Sequence, residues 1–199
     1  MKLLFSPASP YVRKVRVVAI EKGLAGRIEL VTANPWPDPA GITDLNPLGK
    51  VPVLVLDDGT PLYDSPVICE YLDSLAAANP LIPRAGSDRW AVLRRQALAD
   101  GILDAAVTIV LERRRPEAER SAMSQQRAAG AIRRSVAALA GEIRAPDGLL
   151  DLGQIAIAVA LGYLEFRLAD FDAVAAQRAI GDWWAAVKLR PSLAATQPA

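Results

Sequence analysis

The spacing of apolar residues changes character at Asn79-Pro80, and a change of that kind asks for two cores built on different rules. Before it, short strand-like runs alternate with helical ones. Lys2 to Phe5 reads as a strand, Pro10 to Lys22 as a helix stopped by Gly23, and Arg27 to Val31 as a second strand. The stretch Asn34-Pro35-Trp36-Pro37-Asp38-Pro39 carries three prolines and forbids regular structure. Val53 to Leu56, the turn Asp57-Asp58-Gly59 and Leu62-Tyr63 read as a hairpin, after which Ser65 to Leu75 returns to helical spacing. A crossover first and a hairpin later predict a small mixed sheet with helices covering it.

After a Pro- and Gly-containing linker over 79–86, with Ser87 placed to cap the next helix, every segment is helical in pattern. Trp90, Leu93, Ala97, Ile102, Val107 and Leu111 mark one helix that Pro116 ends or kinks, and Ile132, Val136, Leu139 and Ile143 mark the next. Gly153 to Leu164 is apolar on nearly every side and predicts the buried centre of a bundle, with Asp151 and Gln154 spaced as a capping box at its start. Trp183, Trp184 and Val187 mark a last helix before Arg190-Pro191. The expected organisation is a domain over 1–78, the linker over 79–86 and an all-helical domain over 87–199.

Composition removes whole classes of chemistry. The 199 residues contain no histidine, which excludes a Ser-His-Asp triad, a Cys-His pair and any His-ligated metal, and no metal is expected. Cys69 is the only cysteine, so there is no intramolecular disulfide or dithiol couple; amid Val67, Ile68 and Leu72 it reads as inert core. Basic and acidic side chains balance at 23 to 22, which makes no electrostatic case for nucleic acid or an anionic membrane. The clusters Arg13 to Arg16 and Arg113 to Arg115 read as solvated helix faces. Met1 to Phe5 is too short for a signal core, and the longest apolar run, Ile155 to Leu164, is about ten residues where a span needs ~20. A soluble cytoplasmic protein is expected.

Three short motifs have plain structural readings. Ser9 before Pro10 caps a helix, Ser65 before Pro66 does the same, and Pro52 opens a strand where no ladder donor is lost. A helix start also presents unpaired N–H groups and roughly half a positive charge, which suits an anion.

Taken together, Ser9-Pro10-Tyr11-Val12-Arg13-Lys14, Asn46-Pro47-Leu48-Gly49-Lys50-Val51-Pro52-Val53-Leu54 and Tyr63-Asp64-Ser65-Pro66 resemble the glutathione-binding motifs of cytosolic glutathione transferases of the serine type, as found in bacteria. The helix through Gly162-Tyr163-Leu164, Trp184 and Arg190-Pro191-Ser192 extend the resemblance nearly end to end. It implies an α+β thioredoxin-like N-terminal domain followed by an all-α C-terminal domain, usually as a homodimer. It implies glutathione as co-substrate, with the thiolate activated for attack on an electrophile or a peroxide, a detoxification chemistry. Ser9 would then be catalytic, donating a hydrogen bond to the glutathione sulfur; Ser6 is the competing serine. The proline at Pro52 would be cis, turning the main chain of Val51 outward to pair with the cysteinyl unit. Ser65 and the helix end would take the γ-glutamyl carboxylate, Asp64 the ammonium, and Lys50 the glycine carboxylate. An acceptor pocket would face the helix carrying Asp100, Asp104 and Thr108, although a solvated face explains that spacing equally well. The same residues fit two alternatives: a non-catalytic binding or interaction protein of this fold, and a glutathione-dependent isomerase or dehalogenase.

Overall fold

The protein is described by a computed structural model covering residues 1–36, 41–76, 79–145 and 148–198. Pro37, Asp38 and Pro39 of the proline-rich loop lie outside these residues. The chain divides into two units, Met1–Ile82 with Pro191–Ala199, and Pro83–Arg190. The division departs from the sequence reading at its end, because the last nine residues group with the first unit rather than with the helices that precede them.

In the first unit, β1 (Lys2–Phe5), α1 (Pro10–Glu21) and β2 (Glu29–Thr32) form a crossover between parallel strands, with Lys2 opposite Glu29 and Phe5 opposite Thr32. β3 (Val53–Val55) runs antiparallel to β1, and β4 (Pro61–Leu62) antiparallel to β3, giving the order β2-β1-β3-β4. The turn between them uses Gly59 at φ +87°, a conformation that disfavours any side chain. α2 (Ser65–Ser74) completes the unit's longer helices. Leu3, Leu54, Val15, Val18, Ile68 and Leu72 are buried between sheet and helices, as is Cys69.

The basic cluster on α1 is not a solvated face. Arg13 and Lys14 are buried. Arg13 Nη2 donates to the carbonyl of Leu193 at 3.1 Å, and the Ser192 hydroxyl donates to Glu21, so the returning tail, with its short helix Pro191–Ala194, is fastened along α1. At the far end of α1, Lys22 pairs with Asp73 at 2.8 Å and donates to the carbonyls of Ala76 and Asn79, while Asp73 also accepts the amides of Leu81 and Ile82. One buried ion pair thereby closes the end of α2 and anchors the linker.

The second unit is helical: α3 (Gly86–Arg114), α4 (Ala122–Leu139), α5 (Leu152–Arg167) and α6 (Arg178–Val187). α3 is capped at Ala85 without a side-chain bond, so Ser87 lies inside the helix and is not its cap. Its buried face is Val92, Arg95, Gln96, Ala99, Ile102, Leu103, Ala106 and Ile109; of the expected stripe, Trp90 and Ala97 are exposed. α5 is buried from Leu152 through Leu164, as its uniform apolarity predicts. Asp151 caps it by accepting the Gln154 amide at 2.9 Å, but the reciprocal bond of a capping box is not made. Gln154 instead donates to the Glu142 carbonyl and accepts the Arg144 amide, stitching the chain after α4 to α5. Asp151 also accepts Arg95 Nη2 at 2.8 Å.

Candidate functional site

The strand register brings the three motifs to one end of the sheet. β1 and β3 are antiparallel with Leu4 opposite Val53, so the loop leaving β1 toward Ser9 and the segment entering β3 through Val51-Pro52 emerge together. β4 is antiparallel to β3 with Leu62 opposite Leu54, so Tyr63-Asp64-Ser65 leaves from that same end. Two helix N-termini, those of α1 and α2, therefore open beside the start of β3.

Ser9 is the N-cap of α1. Its backbone is extended, and its Oγ accepts the Val12 N–H at 3.3 Å. A hydroxyl that accepts in this way keeps its own proton to donate. Ser9 is half-buried, and its amide donates to the Ser6 carbonyl at 3.0 Å. Ser6 thus enters the turn through its main chain.

The Val51-Pro52 peptide is cis, and both residues are buried. Among the described residues neither the N–H nor the C=O of Val51 has a hydrogen-bond partner. The loop before it is held by Asn46, whose Nδ2 donates to the Lys50 carbonyl at 2.9 Å and whose Oδ1 accepts the Leu48 amide at 3.0 Å. Gly49 completes the turn at φ +62°. Asn46, 1% exposed, had no individual role in the sequence reading; the Asn-Pro-x-Gly spacing, which favours an Asx turn, was the signal for it. Lys50 is exposed.

At α2 the capping assignment shifts by one residue. Asp64 occupies the N-cap position and accepts the Ile68 amide through its carbonyl, with no side-chain cap, while Ser65 is the first helical residue and Pro66 the second. The expectation that Ser65 is the N-cap is therefore corrected: Asp64 has the extended backbone that a cap requires, and Ser65 does not. Ser65 is 1% exposed, and among the described residues its hydroxyl makes no hydrogen bond. Asp64 is exposed.

On α3, Asp104 is exposed, Asp100 and Thr108 are half-buried, and the Thr108 hydroxyl is turned back onto the Asp104 carbonyl at 2.8 Å. Among the described residues there is no group of three or more His, Cys, Asp or Glu able to hold a metal ion, and no helix is long and apolar enough to cross a membrane.

Residues 8–75 match the family model for the glutathione S-transferase N-terminal domain. The uncharacterised GST-like protein YibF of Escherichia coli (strain K12) is 41% identical over 172 residues, covering 84% of this chain and 83% of that protein. The chain belongs to the glutathione transferase family. Its architecture, a thioredoxin-like sheet domain followed by helices, is that of the family's solved members. A glutathione transferase family member from Pseudomonas fluorescens Pf-5, crystallised with bound glutathione, superposes with a TM-score of 0.95 at 41% identity, covering 100% of this chain and 98% of that one. A family member from the same strain with bound S-(propanoic acid)-glutathione gives 0.91 at 41% identity, with 100% of both chains covered. In this glutathione transferase family member, the residues matched by the family model include Ser9, Lys50, Val51, Pro52, Asp64 and Ser65, all carried by the segments at that end of the sheet.

Proposed function

We propose that the protein is a glutathione transferase that binds glutathione at the end of the sheet where Ser9, Val51, Pro52, Asp64 and Ser65 meet and delivers its thiolate to an electrophilic or peroxide substrate. The observation that carries this reading is the Ser9 hydroxyl: engaged as an acceptor by Val12 at the start of a twelve-residue helix, it retains a proton to donate. A sulfur placed there meets that donor and the positive end of α1, both of which favour thiolate over thiol. Ser9 does not become a nucleophile, since a chain without histidine offers no ready base. The unpartnered main chain of Val51 receives the cysteinyl unit as an added strand would. The Ser65 hydroxyl and the α2 amides take the γ-glutamyl carboxylate, Asp64 its ammonium, and Lys50 the glycine carboxylate. A homodimer acting in the cytoplasm in detoxification is part of the same reading.

The relatives crystallised with glutathione and with S-(propanoic acid)-glutathione support it, the second because its ligand is the kind of thioether that conjugation yields. The test is an ultraviolet titration of glutathione bound to the parent and to Ser9→Ala, with stability followed in parallel because the cap itself contributes ~1 kcal/mol. The expected result is a bound thiol pKa roughly one to two units below that of free glutathione, rising in Ser9→Ala. Glutathione bound with an unshifted thiol would instead indicate the non-catalytic binding protein. A screen of halogenated and isomerisable substrates separates conjugation from dehalogenation and isomerisation.

A further inference from the structure

Both main-chain groups and both polar side-chain atoms of the buried Asn46 are hydrogen-bonded. Its N–H donates to the Ile42 carbonyl at 2.7 Å, and its carbonyl accepts the Gly49 N–H at 2.9 Å, which closes the turn through backbone alone. The side chain adds two bonds of opposite sense: Oδ1 accepts the Leu48 amide at 3.0 Å, and Nδ2 donates to the Lys50 carbonyl at 2.9 Å. The orientation of the amide is forced, because a backbone N–H only donates and a carbonyl only accepts. A turn of this kind needs the first side-chain bond alone, and the oxygen of an aspartate or a serine would supply it. The second bond reaches beyond the turn and requires the amide nitrogen.

Its acceptor belongs to the peptide on which the proposed ligand contact depends. The Lys50 carbonyl and the Val51 N–H share one planar unit, and in a trans peptide the two point in opposite directions. A donor fixed on the carbonyl therefore fixes the line along which the Val51 N–H projects, and that N–H has no partner among the described residues. The same bond polarises the peptide and strengthens the N–H as a donor. We propose that Asn46 is a positioning residue for glutathione: through its bond to the Lys50 carbonyl it aims the Val51 N–H at the cysteinyl carbonyl of the tripeptide. This role rests on the glutathione reading above, and Asn46 acts through the Lys50–Val51 peptide rather than by touching the ligand. It bears on affinity, because a donor already aimed spares the ligand the cost of ordering the loop. The ionisation of the thiol, assigned to Ser9 and the start of α1, does not pass through it.

The variants are Asn46→Asp and Asn46→Ser. Both keep an oxygen for the Leu48 amide and remove the donor to Lys50, the first with the shape of asparagine and a charge, the second neutral and one bond too short. The probes are glutathione and γ-glutamyl-α-aminobutyryl-glycine, the same tripeptide without sulfur, titrated calorimetrically into the intact protein at neutral pH. Each variant is expected to lose about tenfold in affinity, by the same factor for both probes. The thiol of glutathione bound to Asn46→Ser is expected to titrate as it does in the parent. Circular dichroism and thermal unfolding without ligand establish that the variants are folded, and either one that folds carries the affinity comparison. Folded variants that bind both probes as the parent does overturn the proposal and assign Asn46 to the turn alone, with the glutathione reading left standing. A loss in Asn46→Asp that Asn46→Ser does not share would be an effect of charge and overturns it as well. So does a loss confined to glutathione, or a bound thiol whose pKa rises in Asn46→Ser, since the residue would then act on the sulfur. A parent that binds neither probe removes the glutathione reading, and this role falls with it.

Discussion

At Gly153 an added Cβ would sit 2.7 Å from the Arg95 Cβ and 2.9 Å from the Val92 carbonyl oxygen, so α5 can approach α3 there only because the side chain is a hydrogen. Backbone does not yield as a flexible side chain does. Gly153→Ala is expected to destabilise the protein by about 1–3 kcal/mol, read from urea unfolding of the two proteins. Tyr163 gives a second single-residue expectation. Burial raises its phenol above the ordinary tyrosine value, with Arg167 and Arg114 acting in the opposite sense. The unfolded chain therefore releases this proton first, and above pH ~10 the native state binds more protons than the unfolded one, so stability falls as pH rises. Tyr163→Phe should flatten that alkaline loss; unfolding curves at about pH 9 and pH 11 that change in parallel for both proteins would contradict it.

Among the elements, the start of α5 combines two duties in one carboxylate. Asp151 satisfies the Gln154 amide and neutralises the buried Arg95. Asp151→Asn keeps the capping oxygen and removes the charge, whereas Asp151→Ala removes both. The alanine variant is expected to cost about 2–4 kcal/mol and the asparagine variant less, because Glu142 at 3.8 Å still offsets part of the Arg95 charge. On α1, Arg13→Met should release the tail from its bond to Leu193, at a cost of about 1–2 kcal/mol, and Arg13→Lys should restore part of it. Amide hydrogen exchange over residues 191–196 is the direct reading. Protection there that is unchanged in Arg13→Met would show the tail to be held by other contacts.

For the molecule as a whole, large apolar side chains remain at the surface of each unit, Trp36 and Leu48 in the first and Trp90 and Leu189 in the second, all more than half exposed. Association would remove some of this area from water. A dimer is expected in sedimentation at micromolar concentration, and a single monomeric species would reject it. The amino-acid sequence determined by itself those features that are decided within a few residues. Gly23 stops α1, Ser9 and Asp151 cap their helices, and the apolar surround of α5 commits it to the interior, all through local hydrogen bonds and side-chain periodicity. The ordered motifs around Ser9, Val51-Pro52 and Asp64-Ser65 were legible for the same reason, and the resemblance they carry predicted the cis bond that the structure contains. Only the tertiary structure decided which face of α3 is buried, that Gln154 reaches back to Glu142 and Arg144, and that Arg13 and Lys14 lie inside. It also decided that the last residues return to the first unit. Those outcomes depend on partners distant in sequence, such as the Leu193 carbonyl that meets Arg13 across 180 residues, and no local pattern records where such a partner will be.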